Sequence, residues 1–110
     1  MRPEPTRPSF HLTPAQGLAR MPGPDRDQYD VLLRHGPVEV GFYAPRGVDD
    51  QTPHDRDEAY VVISGSGWFV NGPERHRFAP GDLLFVPKGV VHRFEQFSED
   101  LALWVLFWDA

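Results

Sequence analysis

Apolar residues in this chain gather into short runs of strand length, and glycine- or proline-bearing turns separate the runs. YDVLLRH (29–35) and VEVGFYA (38–44) flank the turn pair Gly36-Pro37. AYVVIS (59–64) is rich in β-branched residues, which fit a pleated surface, and it stops at Gly65-Ser66-Gly67. Trp68 to Val70 runs into Asn71-Gly72, a hairpin signal because both residues tolerate positive φ. Arg75 to Phe78 returns, Ala79-Pro80-Gly81-Asp82 turns, and Leu83 to Val86 follows. Pro87-Lys88-Gly89 reverses the chain into Val90 to Phe97, and LALWVLFW (101–108) is the final run. No helical period competes with this pattern, so it predicts an all-β sandwich or barrel. Closing the sheet removes exposed strand edges, which favours a jelly-roll barrel.

The first 28 residues read differently. They hold six of the twelve prolines, and proline both lacks a ladder donor and biases its predecessor away from the α region. The expected organisation is a proline-rich amino-terminal arm over 1–28 and a β-barrel domain over 29–110. Phe10, Leu12, Leu18 and Met21 are the arm's candidates for packing against the body or a neighbouring subunit. A helical turn is expected around Ala15 to Ala19.

With 110 residues, 25% of them charged and 40% apolar, the chain suits one globular domain. A net charge of −5 argues against nucleic acid or anionic lipid as a partner. The absence of cysteine excludes disulfides, thiolate metal sites and cysteine nucleophiles. No apolar run reaches the roughly 18 residues of a membrane span, and the amino terminus lacks a signal-peptide core, so the expected location is cytoplasmic.

Candidate chemistry lies in two stretches. TPHDRDEAYVVISGSG (52–67) places His54 and Glu58 four residues apart, on one face if the strand is unbroken, with Tyr60 and Val62 continuing that face. GDLLFVPKGVVHRFEQ (81–96) places His92, Phe94 and Gln96 on a common face after two turns. Gly81, Pro87, Gly89 and His92 match the second sequence motif of the cupin family in register, with Gln96 in the place of its asparagine. Glu58 and Gly65 match the first motif, whose second histidine place is taken by His54. Thr52 stands in the first histidine place, and Gly47 is one residue from the motif glycine.

The chain thus resembles a small single-domain cupin, a double-stranded β-helix or jelly-roll barrel with an internal pocket. The resemblance implies that His54, Glu58 and His92 converge inside the barrel, where a divalent metal could sit. Two imidazoles and one carboxylate with open positions suit non-haem Fe(II), and Zn, Mn or Ni are also compatible. A threonine hydroxyl is a poor ligand for such metals, which leaves three ligands or none. Gln51 could offer a carbonyl oxygen, but its parity opposes that of His54 in an unbroken strand. Without a metal, the same three residues would form a hydrogen-bonded polar cluster, because a buried Glu needs a partner.

Plainer readings attach to other residues. His76 is expected at the hairpin as a satisfied polar group, and Asp57 as a rim or surface charge. Trp104, Trp108, Phe94 and Tyr60 are expected in the core or a dimer interface, with Tyr60 the candidate acid–base residue if it reaches the pocket. No phosphate-binding glycine loop or Ser-His-Asp order is present. Two functions follow as expectations. One is a metal-dependent enzyme, of dioxygenase or isomerase type, acting on a small organic molecule. The other is a non-catalytic binding or sensing module whose metal is structural or absent. The resemblance also implies a homodimer.

Overall fold

Residues 11–23 and 28–109 are described by the structure, a computed structural model. Among them, a short helix α1 (Pro14–Leu18) precedes eight strands: β1 (Tyr29–His35), β2 (Val38–Tyr43), β3 (Asp57–Ser64), β4 (Gly67–Asn71), β5 (Glu74–Phe78), β6 (Leu83–Val86), β7 (His92–Glu95) and β8 (Ala102–Trp108). They form a five-stranded sheet ordered β1-β2-β8-β3-β6 and a three-stranded sheet ordered β5-β4-β7, with antiparallel pairing throughout. This is the all-β barrel that the run-and-turn pattern predicts. Asn71 pairs with Glu74, so Gly72-Pro73 forms the two-residue loop of that hairpin, one position later than the Asn-Gly signal indicated.

Side-chain alternation sorts each strand of the larger sheet into two faces. On β8, Leu103, Val105 and Phe107 point into the main core while Trp104, Leu106 and Trp108 are only partly buried on the opposite face. On β3, Tyr60 and Val62 join the same core, where they meet Phe69 of β4, Phe78 of β5 and Phe94 of β7. The aromatic rings pack edge-on or tilted, with centroids 5.0 Å apart for Tyr60–Phe94 and 4.8 Å for Phe69–Phe94. Such pairs add about 0.5–1.5 kcal/mol each beyond the burial of their area. The contacts of Tyr60 with Phe69 and Phe94 fasten the small sheet to the large one.

A smaller cluster of Phe42, Ala44 and Ala102 occupies the outer face of the large sheet, with Met21 and Trp104 packed against it. Helix α1 lies over this patch. Its Thr13 cap accepts from the Gln16 N–H while the Gln16 side chain accepts from the Thr13 N–H. Five residues are too few for a helix to persist by propensity, so docking holds it. Gly17 makes that docking feasible, since a Cβ there would come within 2.2 Å of the Phe42 ring. Of the arm residues expected to pack, Met21 does so, Leu12 is partly buried, Leu18 is half exposed, and Phe10 falls outside the described residues. The rest of the arm expectation concerns 1–10 and 24–27, which also lie outside them.

The turn between β6 and β7 is tied to the segment before β3. The Gly89 N–H donates to the His54 carbonyl at 2.7 Å, and the Lys88 N–H donates to Asp57 Oδ1 at 2.9 Å. Gly89 has φ +82, a conformation that costs any β-branched side chain roughly 1–2 kcal/mol. Gly89→Val should therefore lower the thermal midpoint by about 4–16 °C, given about 4–8 °C per kcal/mol in a domain of this size. Lys88→Ala, which keeps its backbone bond to Asp57, should shift it little. Equal midpoints in a thermal scan of the two variants would refute the turn's demand for glycine.

Candidate metal centre

Two strands and one loop bring the candidate ligands together. Glu58 is the second residue of β3 and His92 the first of β7; they are 1% and 2% exposed. His54 reaches them from a different kind of backbone. β3 begins only at Asp57, so His54 and Gln51 sit on an irregular segment where strand parity does not operate. The equal parity of His54 and Glu58 is thus not what unites them. The bond from Gly89 to the His54 carbonyl holds the loop inward instead. One nitrogen or oxygen from each of His54, Glu58 and His92 falls within a cluster spanning no more than 4.8 Å.

The hydrogen bonds assign the protons. His92 Nδ1 lies 2.9 Å from the Val90 carbonyl, which only accepts, so Nδ1 carries the hydrogen. In the neutral ring, Nε2 then presents a lone pair to Glu58 Oε1, 3.0 Å away. Both atoms are buried, and neither has a well-directed hydrogen-bond partner among the described residues. Two facing lone pairs in a low-dielectric interior repel unless a positive charge stands between them. A proton on Nε2 meets that need, and so does a metal cation. The residues present therefore fit a divalent metal.

The two imidazoles are pulled in opposite directions. Burial works against the charge of His92, but the Glu58 contact, the Val90 carbonyl and the charges of Glu58 and Asp49 outweigh it, so its pKa is raised above 6.5. For His54, burial dominates and lowers the value, aided by His92 and Arg56 and only partly opposed by Glu58, which stands 3.8 Å from Nε2.

Asp49 organises the loop. It is 4% exposed, and its carboxylate accepts from the Phe94 N–H at 2.8 Å, from the Gln51 amide at 2.7 Å and from the Tyr43 hydroxyl. Gln51 in turn accepts at Oε1 from the Tyr60 hydroxyl, 3.0 Å away, and lies 3.1 Å from His54 Nε2. Thr52, in the motif's first histidine place, is exposed. Gln96 is also exposed, with φ 48 just after β7 ends, so it does not share the inward face of His92 and Phe94. His76 is exposed beside Glu74 at 2.9 Å, and Asp57 lies at the rim.

Beside the cluster opens a cavity of about 310 Å³, lined by His54, Glu58 and Tyr60 together with Tyr29, Glu39, Tyr43, Arg56 and Phe107. Tyr60 lines it and Trp104 does not, since Trp104 packs edge-on against Phe42 on the outer face of the sheet. The Arg56 guanidinium lies 4.5 Å from the Phe107 ring centre and 3.3 Å from Glu39 Oε1; Glu39 also accepts from the Tyr29 hydroxyl at 2.9 Å. Sequence reasoning missed Asp49, Glu39 and the two tyrosines. Glu39 was detectable as the one acid within the apolar run VEVGFY, and Tyr29 and Tyr43 face each other across β1 and β2. Asp49 carried no such signal, because its partners are a loop amide and a distant strand.

Comparison with known proteins agrees with this architecture. The family model described as "Cupin domain" matches residues 40–108. An uncharacterized protein of Streptomyces coelicolor is 41% identical over 81 residues, 72% of this chain and 77% of that one. Among solved structures, a cupin 2 conserved barrel domain protein from Salinispora arenicola is similar with a TM-score of 0.63 at 21% identity, covering 74% of this chain and 75% of that chain. KdgF from a Halomonas species is similar with a TM-score of 0.65 at 18% identity, covering 74% and 79%.

The opposed imidazole shifts give the metal-free protein a pH profile. His92 binds its proton more tightly when folded, so its contribution to stability is present below pH 6.5 and is lost as pH rises through its raised value. His54 binds its proton less tightly when folded, so its effect is to lower stability as pH falls below 6.5. Imidazole NMR titration with chelator present should show His92 titrating above 6.5 and His54 below it, with the urea midpoint highest near pH 6.5. The reverse order of titration would refute the proton assignment.

Proposed function

The chain belongs to the cupin-domain family, and from that premise we propose that it is a metal-dependent enzyme acting on a small organic molecule in the barrel pocket. His54, Glu58 and His92 are the metal ligands in this reading, and Fe, Zn, Mn or Ni is the ion. The observation that carries it is the buried pair Glu58 Oε1 and His92 Nε2, two acceptors 3.0 Å apart with no directed partner among the described residues, at the edge of a cavity. A bound divalent cation would supply Lewis-acid polarisation of a carbonyl or carboxylate, or activation of water or dioxygen. Dioxygenase-type oxidation and isomerisation through an enediol are the reaction classes that suit this set.

The chain's own groups have separable tasks. Val105 and Phe107 form apolar wall that limits water at the site. Tyr60 is buried, and burial together with the Glu58 charge raises its pKa well above 10. It therefore holds its proton, which it donates to Gln51 Oε1 at 3.0 Å, and it does not act as a base. Arg56, stacked on Phe107 at the cavity, offers a planar cationic edge to a carboxylate or carbonyl oxygen.

A non-catalytic binding module is the second reading, and the exposed Thr52 favours it, because the motif's first imidazole is missing. One set of measurements separates the two. Saturating metal at about 100 times Kd should stabilise the fold by about 2.7 kcal/mol, a rise on the order of 10 °C in Tm. His92→Ala should abolish both this rise and turnover of candidate small carbonyl and carboxylate compounds, while circular dichroism shows the fold intact. A wild-type protein that binds metal but turns over none of them favours the binding module. Turnover that survives His92→Ala removes the metal enzyme reading.

The homodimer also belongs here. Leu83 and Phe85 of β6 are 65% and 45% exposed, and both lie across β3 from Trp104 and Leu106 of β8. This apolar outer face is the surface a second copy would cover. Sedimentation should give twice the 12.5 kDa chain mass, and Phe85→Glu should return the chain to monomer. A wild-type monomer at micromolar concentration would overturn the assignment.

A further inference from the structure

We propose that the side-chain carbonyl oxygen of Gln51 is a fourth protein ligand of the metal, filling the place left by the exposed Thr52. This rests on the reading that His54, Glu58 and His92 hold a metal. The orientation of the Gln51 amide is determined by its surroundings. Its nitrogen end faces Asp49 Oδ2 at 2.7 Å, and that carboxylate oxygen, which already takes the Phe94 N–H, can only accept. Oε1 is thereby turned toward the cluster. It has two lone pairs. One takes the Tyr60 hydroxyl at 3.0 Å, and the other faces His54 Nε2 at 3.1 Å.

An acceptor opposite His54 Nε2 requires a hydrogen there while no cation is present, so the metal-free ring carries its proton on Nε2. A bound cation would require that proton to reside on Nδ1, which would leave the lone pairs of His54 Nε2 and Gln51 Oε1 free to hold it. The same residue pair thus closes the site without metal and opens into ligands with it. Asp49 and Tyr60 hold the amide through both states, as outer partners hold first ligands elsewhere.

The donor set becomes two imidazole nitrogens, one carboxylate oxygen and one amide oxygen. An amide oxygen is neutral like imidazole, so the net charge of the centre is unchanged by the exchange. It is a harder donor, which shifts preference toward Mn(II) and Fe(II) relative to a site with a third imidazole.

The test uses the full chain, stripped of metal and titrated calorimetrically with Mn(II) and with Co(II), with the visible spectrum of the Co(II) form recorded. Gln51→Leu keeps the side-chain size and removes the donor, and Gln51→Glu keeps an oxygen donor. The expected result is that Gln51→Leu weakens both ions by about 10–100-fold and alters the Co(II) spectrum. Gln51→Glu loses the N–H given to Asp49 but should bind more tightly than Gln51→Leu, with shifted bands because a carboxylate has replaced the amide. Wild-type binding with a Gln51→Leu variant of equal affinity and identical spectrum overturns this ligand and leaves the three-residue centre standing. Weaker binding with an identical spectrum also overturns it, since Gln51 would then only orient His54 and Tyr60. A wild type that binds neither ion overturns both readings. If Gln51→Leu fails to fold in chelator, the spectrum of Gln51→Glu decides, and unshifted bands count against ligation.

Discussion

A buried carboxylate oxygen and a buried imidazole nitrogen, 3.0 Å apart and both short of a directed hydrogen bond among the described residues, impose the central constraint on this structure. The Val90 carbonyl commits the only hydrogen of neutral His92 to the far side of the ring. What remains at the centre is lone pair against lone pair. Either a proton or a metal ion must occupy the gap, and the raised pKa of His92 is the protonic answer to that demand. The same pair would be costly to bury without compensation, so the surrounding barrel is arranged to keep one or the other cation in place.

The barrel meets this constraint through packing on one side and a hydrogen-bonded loop on the other. Phe69, Phe94 and Tyr60 hold β4, β7 and β3 at a separation that sets the His92–Glu58 distance. The loop between β2 and β3 has no such core. Asp49 supplies its order instead, pinning Tyr43, Gln51 and the Phe94 backbone to one carboxylate. Gly89 then fastens the far end of the loop by its bond to the His54 carbonyl. The turn glycine of the second motif and the histidine of the first are therefore mechanically joined, which accounts for the need for both in one site.

The eight strands and their turns were legible because each is a local matter of β-branched residues, alternation and glycine or proline at the reversals. His92, Glu58 and Tyr60 were legible for the same reason: all three lie within strands, where parity predicts facing. The prediction failed where regular backbone stops. Gln96 follows the end of β7 at positive φ, so its side chain leaves the face that alternation assigned to it. Gln51 has the wrong parity for an unbroken strand, yet it reaches His54 Nε2 because residues 51–54 are not a strand.

The order of apolar runs and turns, with the spaced set Gly81, Pro87, Gly89, His92 and the pair His54, Glu58, determined by itself that this chain is an all-β cupin domain with a three-residue polar cluster within it. The strand pattern is a property of short-range periodicity, which a linear chain records directly, and the cluster followed from the resemblance of the spaced residues to the cupin motifs. Which atoms carry protons, how the amide of Gln51 is turned and why Asp49 is buried were decided only by tertiary structure. Each depends on a partner that is remote in the chain or reached through irregular backbone, and hydrogen-bond direction is settled by where both partners end up in space.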